Sequence, residues 1–353
     1  MRRNNWGSGQ SDRGVLRGPG GPPYCLLVCS CFGFLFLSSC APYSTFELPQ
    51  QPGGPLPKWS LSLKAEPVLL RGKTGEFDFS DALNPSVIKR GSSFLNLYSG
   101  YDGKTWHTGL ATSADGIAWT KKGKILSPGP AAWEGSYIAA NGAVIERNGE
   151  LLYFYQAGSP PQIGLARSTD GLHWTKNDAP VIPIGPYESW DERGVGDPYL
   201  IETGGSLYLY YLGQDRARRQ RLGVAVSIDG MHWNRLIANP ILELGEPGAF
   251  DEVGLGEPAV WASHGYYWML YTGRDKGERR RMGLAYSRNG VTWLRYPGEP
   301  FAGQAAWNSQ VVCDATVLLE NGKLRLWFGG GDRPLPAEGL NGQIGAAVLE
   351  AAP

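Results

Sequence analysis

Ser227-Ile228-Asp229-Gly230-Met231-His232-Trp233 is the stretch that decides the fold, because the chain writes it four times. It recurs as Ser113-Ala114-Asp115-Gly116-Ile117-Ala118-Trp119, as Ser168-Thr169-Asp170-Gly171-Leu172-His173-Trp174 and as Ser287-Arg288-Asn289-Gly290-Val291-Thr292-Trp293. The tryptophans stand 55, 59 and 60 residues apart. A small-apolar strand precedes each copy, as in Gly223-Val224-Ala225, and Asp-Gly or Asn-Gly between strands is a strong hairpin signal. Each copy therefore marks a β-hairpin, with Asp-Gly making the turn and Trp packing between neighbouring units.

Working upstream, every unit holds a second strand pair. Its outgoing strand is aromatic and apolar, as in Leu207-Tyr208-Leu209-Tyr210-Tyr211 and Tyr267-Trp268-Met269-Leu270-Tyr271, and turn residues such as Thr203-Gly204-Gly205 and Glu320-Asn321-Gly322 come before it. Four antiparallel strands, A to D, repeated about every sixty residues predict an all-β protein, a β-propeller. Strand A begins near Pro85, Gly142, Pro198, Pro258 and Ala315, which gives five blades. The fifth unit ends without its Asp-Gly-X-X-Trp segment. Trp59 lies 60 residues before Trp119, so the N-terminal segment is expected to supply the missing outer strand and close the ring. One propeller domain then spans 58–353.

Composition agrees with that class. The 353 residues include 50 Gly and 26 Pro with 12% aromatics, a turn-rich make-up. Basic and acidic residues balance at 33 each; leaving out the first 39 residues, 29 basic and 32 acidic remain. Such a balance lacks a nucleic-acid footprint. Residues 1–40 read as an export signal: arginines, an apolar run from Cys25 to Leu37 too short to span a bilayer comfortably, then small residues. It ends in Leu37-Ser38-Ser39-Cys40, which resembles the lipobox of bacterial lipoproteins and implies a lipid-anchored, extracytoplasmic protein, periplasmic or at the cell surface, with Cys40 lipidated. Residues 41–57, rich in proline, are expected to form a tether. The mature domain keeps one cysteine, Cys313, so it can hold no internal disulfide. Cys25, Cys29 and Cys31 lie inside the export segment, so no metal site is expected, and no cofactor.

Blade geometry sorts the motifs by face. Starts of strands A and C and ends of B and D share one face, opposite the Asp-Gly turns. Five equivalent strand-A starts carry Asn84, Asn141, Asp197, Glu257 and Asp314, as in Gly196-Asp197-Pro198 and Gly256-Glu257-Pro258. Inner strands converge on the axis, so three carboxylates would crowd one funnel, and like charges at close range push at least one pKa up, separating an acid from a base. The alternative is that they cap loops by accepting backbone hydrogen bonds. Asp215, Arg221, Asp275 and Arg281 near the B and C strands, with His107, Gln162 and Gln343 at the equivalent places, are expected to form a polar ring above the acids that holds sugar hydroxyls, a carboxylate or a phosphate; the competing reading is salt bridging among themselves. Phe77, Trp133, Trp190, Phe250 and Trp307 precede strand A and read as packing between blades.

On these motifs the chain resembles the five-bladed propeller glycosidases, the superfamily of glycoside hydrolase families 43, 32, 62 and 130. The resemblance covers residues 58–353 and implies a glycoside hydrolase acting on oligo- or polysaccharides; a monomer is expected. In families 43 and 32 three acids at the strand-A starts of the first three blades carry catalysis, whereas here Asn84 and Asn141 stand in the first two. By residue type Glu257 is expected to be the general acid, Asp197 or Asp314 the base or nucleophile, and the other Asp the support, with Asn84 and Asn141 binding substrate. A propeller that binds glycan without cleaving it and a phosphorylase whose arginines hold phosphate are the alternatives.

Overall fold

The computed structural model describes residues 43–129, 131–320 and 323–352. The expected export segment with Cys40 and the Asn321-Gly322 turn lie outside the described residues. The regular secondary structure of the described residues is all β apart from one short helical turn at Ala306–Asn308.

Strands follow one another in antiparallel sets of four. The first set is β3 (Asp81–Arg90), β4 (Ser93–Tyr101), β5 (Trp106–Ser113) and β6 (Thr120–Leu126). The second is β7 (Ala139–Arg147), β8 (Glu150–Ala157), β9 (Gln162–Ser168) and β10 (Thr175–Lys176). Next come β11 (Gly194–Thr203), β12 (Ser206–Gln214), β13 (Gln220–Ser227) and β14 (Asn234–Leu236), then β15 (Gly254–Ser263), β16 (Tyr266–Arg274), β17 (Arg280–Ser287) and β18 (Leu294–Arg295). The last set is β19 (Val311–Glu320), β20 (Lys323–Gly331) and β21 (Gln343–Ala352), with β2 (Lys58–Leu63) paired antiparallel to β21 from Lys58↔Ala352 to Leu63↔Ala347. First strands touch in cyclic order, β3 to β7, β11, β15, β19 and back to β3. This is a propeller-like arrangement of antiparallel sheets.

The repeated motif makes the turn the sequence predicts. Asp229 Oδ1 accepts the N–H groups of Met231 and His232 at 2.8 Å, Ser227 Oγ donates to the same oxygen at 3.0 Å, and Gly230 takes φ +76°. Trp233 then lies edge-on to Phe154 of the preceding sheet, ring centres 5.6 Å apart. Trp293 meets Tyr210 of its preceding sheet in the same way.

Two expectations need correction. Phe77, Trp133, Trp190, Phe250 and Trp307 pack within their own sheet rather than between sheets. Trp190 lies on the glycines of strands β12 and β13: a Cβ at Gly213 would come within 2.2 Å of the indole and one at Gly223 within 2.5 Å. The glycine that opens each Gly-Leu-Ala strand is thus where that ring needs room. The second correction concerns 41–57. From Tyr43 onward this segment is docked rather than tethered. β1 (Tyr43–Ser44) pairs parallel with β14, Leu48 is 2% exposed among Tyr208, Tyr210 and Trp293, and Leu48, Gln51 and Gly53 donate backbone hydrogen bonds to Asn289, Arg288 and Gly265. Proline has no N–H to satisfy, so a proline-rich strap can lie along a folded surface at little polar cost.

In the first four sets the loop before strand A also buries an acid that sequence reasoning passed over. Asp191 and Asp251, directly after Trp190 and Phe250, accept from the hydroxyls of Tyr211 (3.2 Å) and Tyr271 (3.1 Å) and pair with Arg235 and Arg295. Asp78 with Tyr98 and Lys121, and Glu134 with Tyr155 and Lys176, repeat the arrangement. In the last set Asn308 and Phe328 stand in these places, both uncharged. These are locks that fix the loop on the sheet; a buried carboxylate needs such partners.

Candidate active site

The five strand-A starts share one unusual backbone. Asn84, Asn141, Asp197, Glu257 and Asp314 have φ of 48°, 49°, 48°, 52° and 56°. In every set the register between first and second strand slips at this residue, between Leu83 and Ser86, Ala140 and Ala143, Gly196 and Tyr199, Gly256 and Ala259, and Cys313 and Thr316. A bulge in the left-handed region re-aims a side chain that the pleat would otherwise send into the sheet. Asn and Asp adopt this conformation comparatively easily, Glu less so.

All five line one pocket of about 240 Å³, and a hydrogen-bonded chain links them around the axis. Asn84 N–H donates to Asp314 Oδ2 (3.2 Å), Asp314 N–H to Glu257 Oε2 (3.3 Å), Glu257 N–H to Asp197, and the Asn141 side chain to Asp197. Backbone capping is therefore present, but each carboxylate serves the next sheet's strand rather than its own loop. Second-strand residues brace the ring: Asn141 N–H donates to Ser99 Oγ (2.9 Å) and Asp314 N–H to Thr272 Oγ1 (3.3 Å).

Crowding sets the protonation. Loss of hydration at the pocket floor, then the negative charge of Glu257, push Asp197 up to about 8, against the opposing pull of Arg280 and the hydrogen bonds from Asn141 and the Glu257 N–H. Burial and Glu257 likewise hold Asp314, 5% exposed, well above the usual carboxylate range. Glu257, Cys313 and Asp314 bring possible metal-ligand atoms within 4.8 Å of one another. The Cys313 thiol is pushed far up by burial and by Asp314, to whose Oδ2 it donates at 3.0 Å. The thiol thus acts as a hydrogen-bond donor to the Asp314 carboxyl.

The other predicted binding residues lie elsewhere. Asp215, Arg221, Asp275 and Arg281 are not among the pocket-lining residues. Arg221 pairs with Asp215 (3.0 Å) and Glu243 (3.0 Å), Arg219 with Asp215 (2.7 Å) and Arg279 with Asp275 (3.0 Å), while Arg281 borders an outer cleft beside Phe250 and Glu299. Strand parity is the reason. Arg221 and Arg281 stand two residues before Gly223 and Gly283 and so share the sheet face on which Trp190 and Phe250 lie. The preceding residues, Gln220 and Arg280, point the other way and line the pocket, with their cross-strand partners Gln214 and Arg274. Gln156, Trp106 and Tyr137 complete the wall. Counting parity from the strand glycine would have found Gln220 and Arg280.

Three acids and two asparagines thus stand on left-handed bulges around the axis of a propeller-like β-fold. The model of the "Glycosyl hydrolases family 32 N-terminal domain" matches residues 95–252 and again 157–314, two placements about one repeat apart that together cover more than half of the chain. The chain belongs to this family of propeller glycosyl hydrolase domains. An uncharacterized protein of Mycobacterium tuberculosis is 26% identical over 246 residues, 65% of this chain and 79% of that one. A 1,2-β-oligomannan phosphorylase of a Thermoanaerobacter species is 30% identical over 130 residues, 34% of this chain and 42% of that one. Among solved structures, β-1,2-mannobiose phosphorylase from Listeria innocua in complex with β-1,2-mannobiose superposes with a TM-score of 0.64 at 14% identity, over 82% of this chain and 96% of that one.

Proposed function

We propose that the four-stranded sets are the five blades of one propeller, with β2 as the closing outer strand, and that it is a glycoside hydrolase cleaving oligo- or polysaccharides. The observation that carries the reading is one pocket floor with three carboxylates, of which Asp197 is raised to about 8 and so keeps its proton at neutral pH. Asp197 is then the general acid. As the C1–O bond breaks, its proton goes to the leaving oxygen. Glu257, whose charge helps keep that proton on Asp197, either takes the proton of an attacking water or itself attacks C1; which of the two is read from the anomer first released. Asp314, the most buried, holds Asn84 and the ring in place. This assignment exchanges the roles expected from residue type alone, because burial and neighbouring charge outweigh side-chain length.

A glycan panel tests the reading. Asp197→Asn should lose most activity on natural linkages and much less on an activated aryl glycoside, whose leaving group needs no proton; Glu257→Gln should lose both. Full turnover by Glu257→Gln on any substrate sinks the pair. Lipid anchoring at Cys40, extracytoplasmic location and a monomeric state remain part of the proposal, and [3H]palmitate labelling lost in Cys40→Ala tests the first.

Phosphorolysis is the second reading, favoured by Arg274 and Arg280 on the pocket wall and by the named phosphorylase relative. Here phosphate replaces water at C1, and the product is a sugar 1-phosphate formed only when phosphate is present.

A further inference from the structure

The segment Asp332–Asn341, between β20 and β21, leaves the last sheet and is fastened on three sides. The buried carboxylate of Asp81, in the first sheet, accepts the N–H groups of Gly339 and Gly342, both at 2.7 Å. Tyr137, entering the second sheet, donates its hydroxyl to Glu338 Oε2 at 3.0 Å. From the fourth sheet Arg280 donates to the carbonyls of Pro336 (2.9 Å) and Leu335 (3.1 Å), and Arg274 to that of Pro336 (3.3 Å). Pro336, Ala337 and Leu340 line the pocket, so the segment lies against its mouth.

The third sheet contributes no fastening among the described residues. Where the fourth sheet has the cross-strand pair Arg274 and Arg280, the third has Gln214 and Gln220, both on the pocket wall. Neither glutamine side chain has a hydrogen-bond partner among the described residues, so both amides are free to meet hydroxyl groups. With a volume of about 240 Å³ the pocket is below the ~300–1,000 Å³ of drug-sized ligand sites. It suits a sugar unit rather than a chain threading through.

We infer that Asp332–Asn341 is a bar across the funnel that admits only the end of a glycan, and that the leaving part of the chain runs out over Gln214 and Gln220. The inference rests on the glycan-cleaving reading above and adds which bond is reached, the terminal one, and which residues select what lies beyond it. Arg280 both fastens the bar and lines the pocket with Asp197, so the bar and the pocket wall share one side chain.

The test is product analysis on an end-labelled oligosaccharide ladder and on the same glycan with its ends blocked or cyclised. Single sugars released stepwise from one end, with no turnover of the blocked form, are expected; internal fragments from the unmodified protein overturn the bar. Replacing residues 335–338 by Gly-Gly should bring internal cleavage. Gln214→Ala with Gln220→Ala should lower kcat/KM about 10-fold more on trisaccharides and longer chains than on an aryl monoglycoside, about one good hydrogen bond's worth; an equal loss on both overturns the exit path. Should no glycan be cleaved at all, the cleaving reading fails by itself. The bar is then read from calorimetric binding of a panel glycan, where equal affinity for free and blocked ends overturns it.

Discussion

The first two strand-A starts carry Asn84 and Asn141, the last three Asp197, Glu257 and Asp314, on a backbone that hardly differs: φ runs only from 48° to 56° across all five. The bulge is a requirement of the fold, and asparagine meets it in two sheets without charge. Carboxylates at the other three positions are therefore not explained by backbone geometry. Glu257 occupies a left-handed conformation that asparagine tolerates better, and Asp197 and Asp314 hold protons that an exposed carboxyl would release. Where a cheaper residue would fold as well, the costlier one points to chemistry.

That comparison breaks most visibly if the acids turn out to be dispensable. Asp197→Asn and Glu257→Gln, which give the acidic sheets the neutral side chains of the first two, should lower turnover on natural linkages by about 10²–10⁴-fold while leaving circular dichroism unchanged. Turnover in the unmodified protein should fall on the alkaline side as Asp197 loses its proton near pH 8, and that limb should vanish in Asp197→Asn. Equal losses from Asn84→Ala would erase the distinction between the two groups.

Stability should move the other way. Asp197 is raised in the folded state, so its neutral form contributes stability that is complete below the unfolded value near 3.8 and is lost as pH rises through about 8. Asp197→Asn has no proton to lose. Its unfolding free energy should match that of the unmodified protein at pH 4 and exceed it increasingly from pH 5 to about 8, by roughly 2–5 kcal/mol at the upper end, read as a rising difference in melting temperature. A constant difference across that range would mean that Asp197 is an ordinary exposed carboxylate.

Much of this was legible because it is local. The Ser-X-Asp-Gly-X-X-Trp turn satisfies itself within seven residues, so its repetition announces strands and spacing before any tertiary contact is known, and the strand-A acids follow from counting along that spacing. What escaped depends on partners far away in sequence. Leu48 is ordered by Tyr208 and Trp293, and no proline count could show that. Asp191 reads as one more surface acid until Tyr211 and Arg235 close on it. The strand glycines were visible, but the ring that needs them was not. Gly223→Ala should cost about 1–3 kcal/mol, read from denaturant unfolding, because its Cβ would lie 2.5 Å from Trp190 in a packed sheet.

The finest form of the comparison is between two neighbours in one strand. Arg280 and Arg281 have the same chemistry and adjacent positions, and the pleat sends them to opposite faces. Arg280 lines the pocket, faces Asp197 and holds the carbonyls of Leu335 and Pro336; Arg281 borders the outer cleft. Arg280→Ala should raise KM about 10-fold, the scale of a lost charged hydrogen bond, and move the alkaline limb of the pH profile upward, since this arginine favours the ionised form of Asp197. Arg281→Ala should leave KM within about 2-fold, stability within about 0.5 kcal/mol and the limb where it was. The pair discriminates sharply because net charge changes identically in both variants. Only facing differs, so a limb that moved equally in the two would show that long-range charge, and not the pocket wall, governs Asp197.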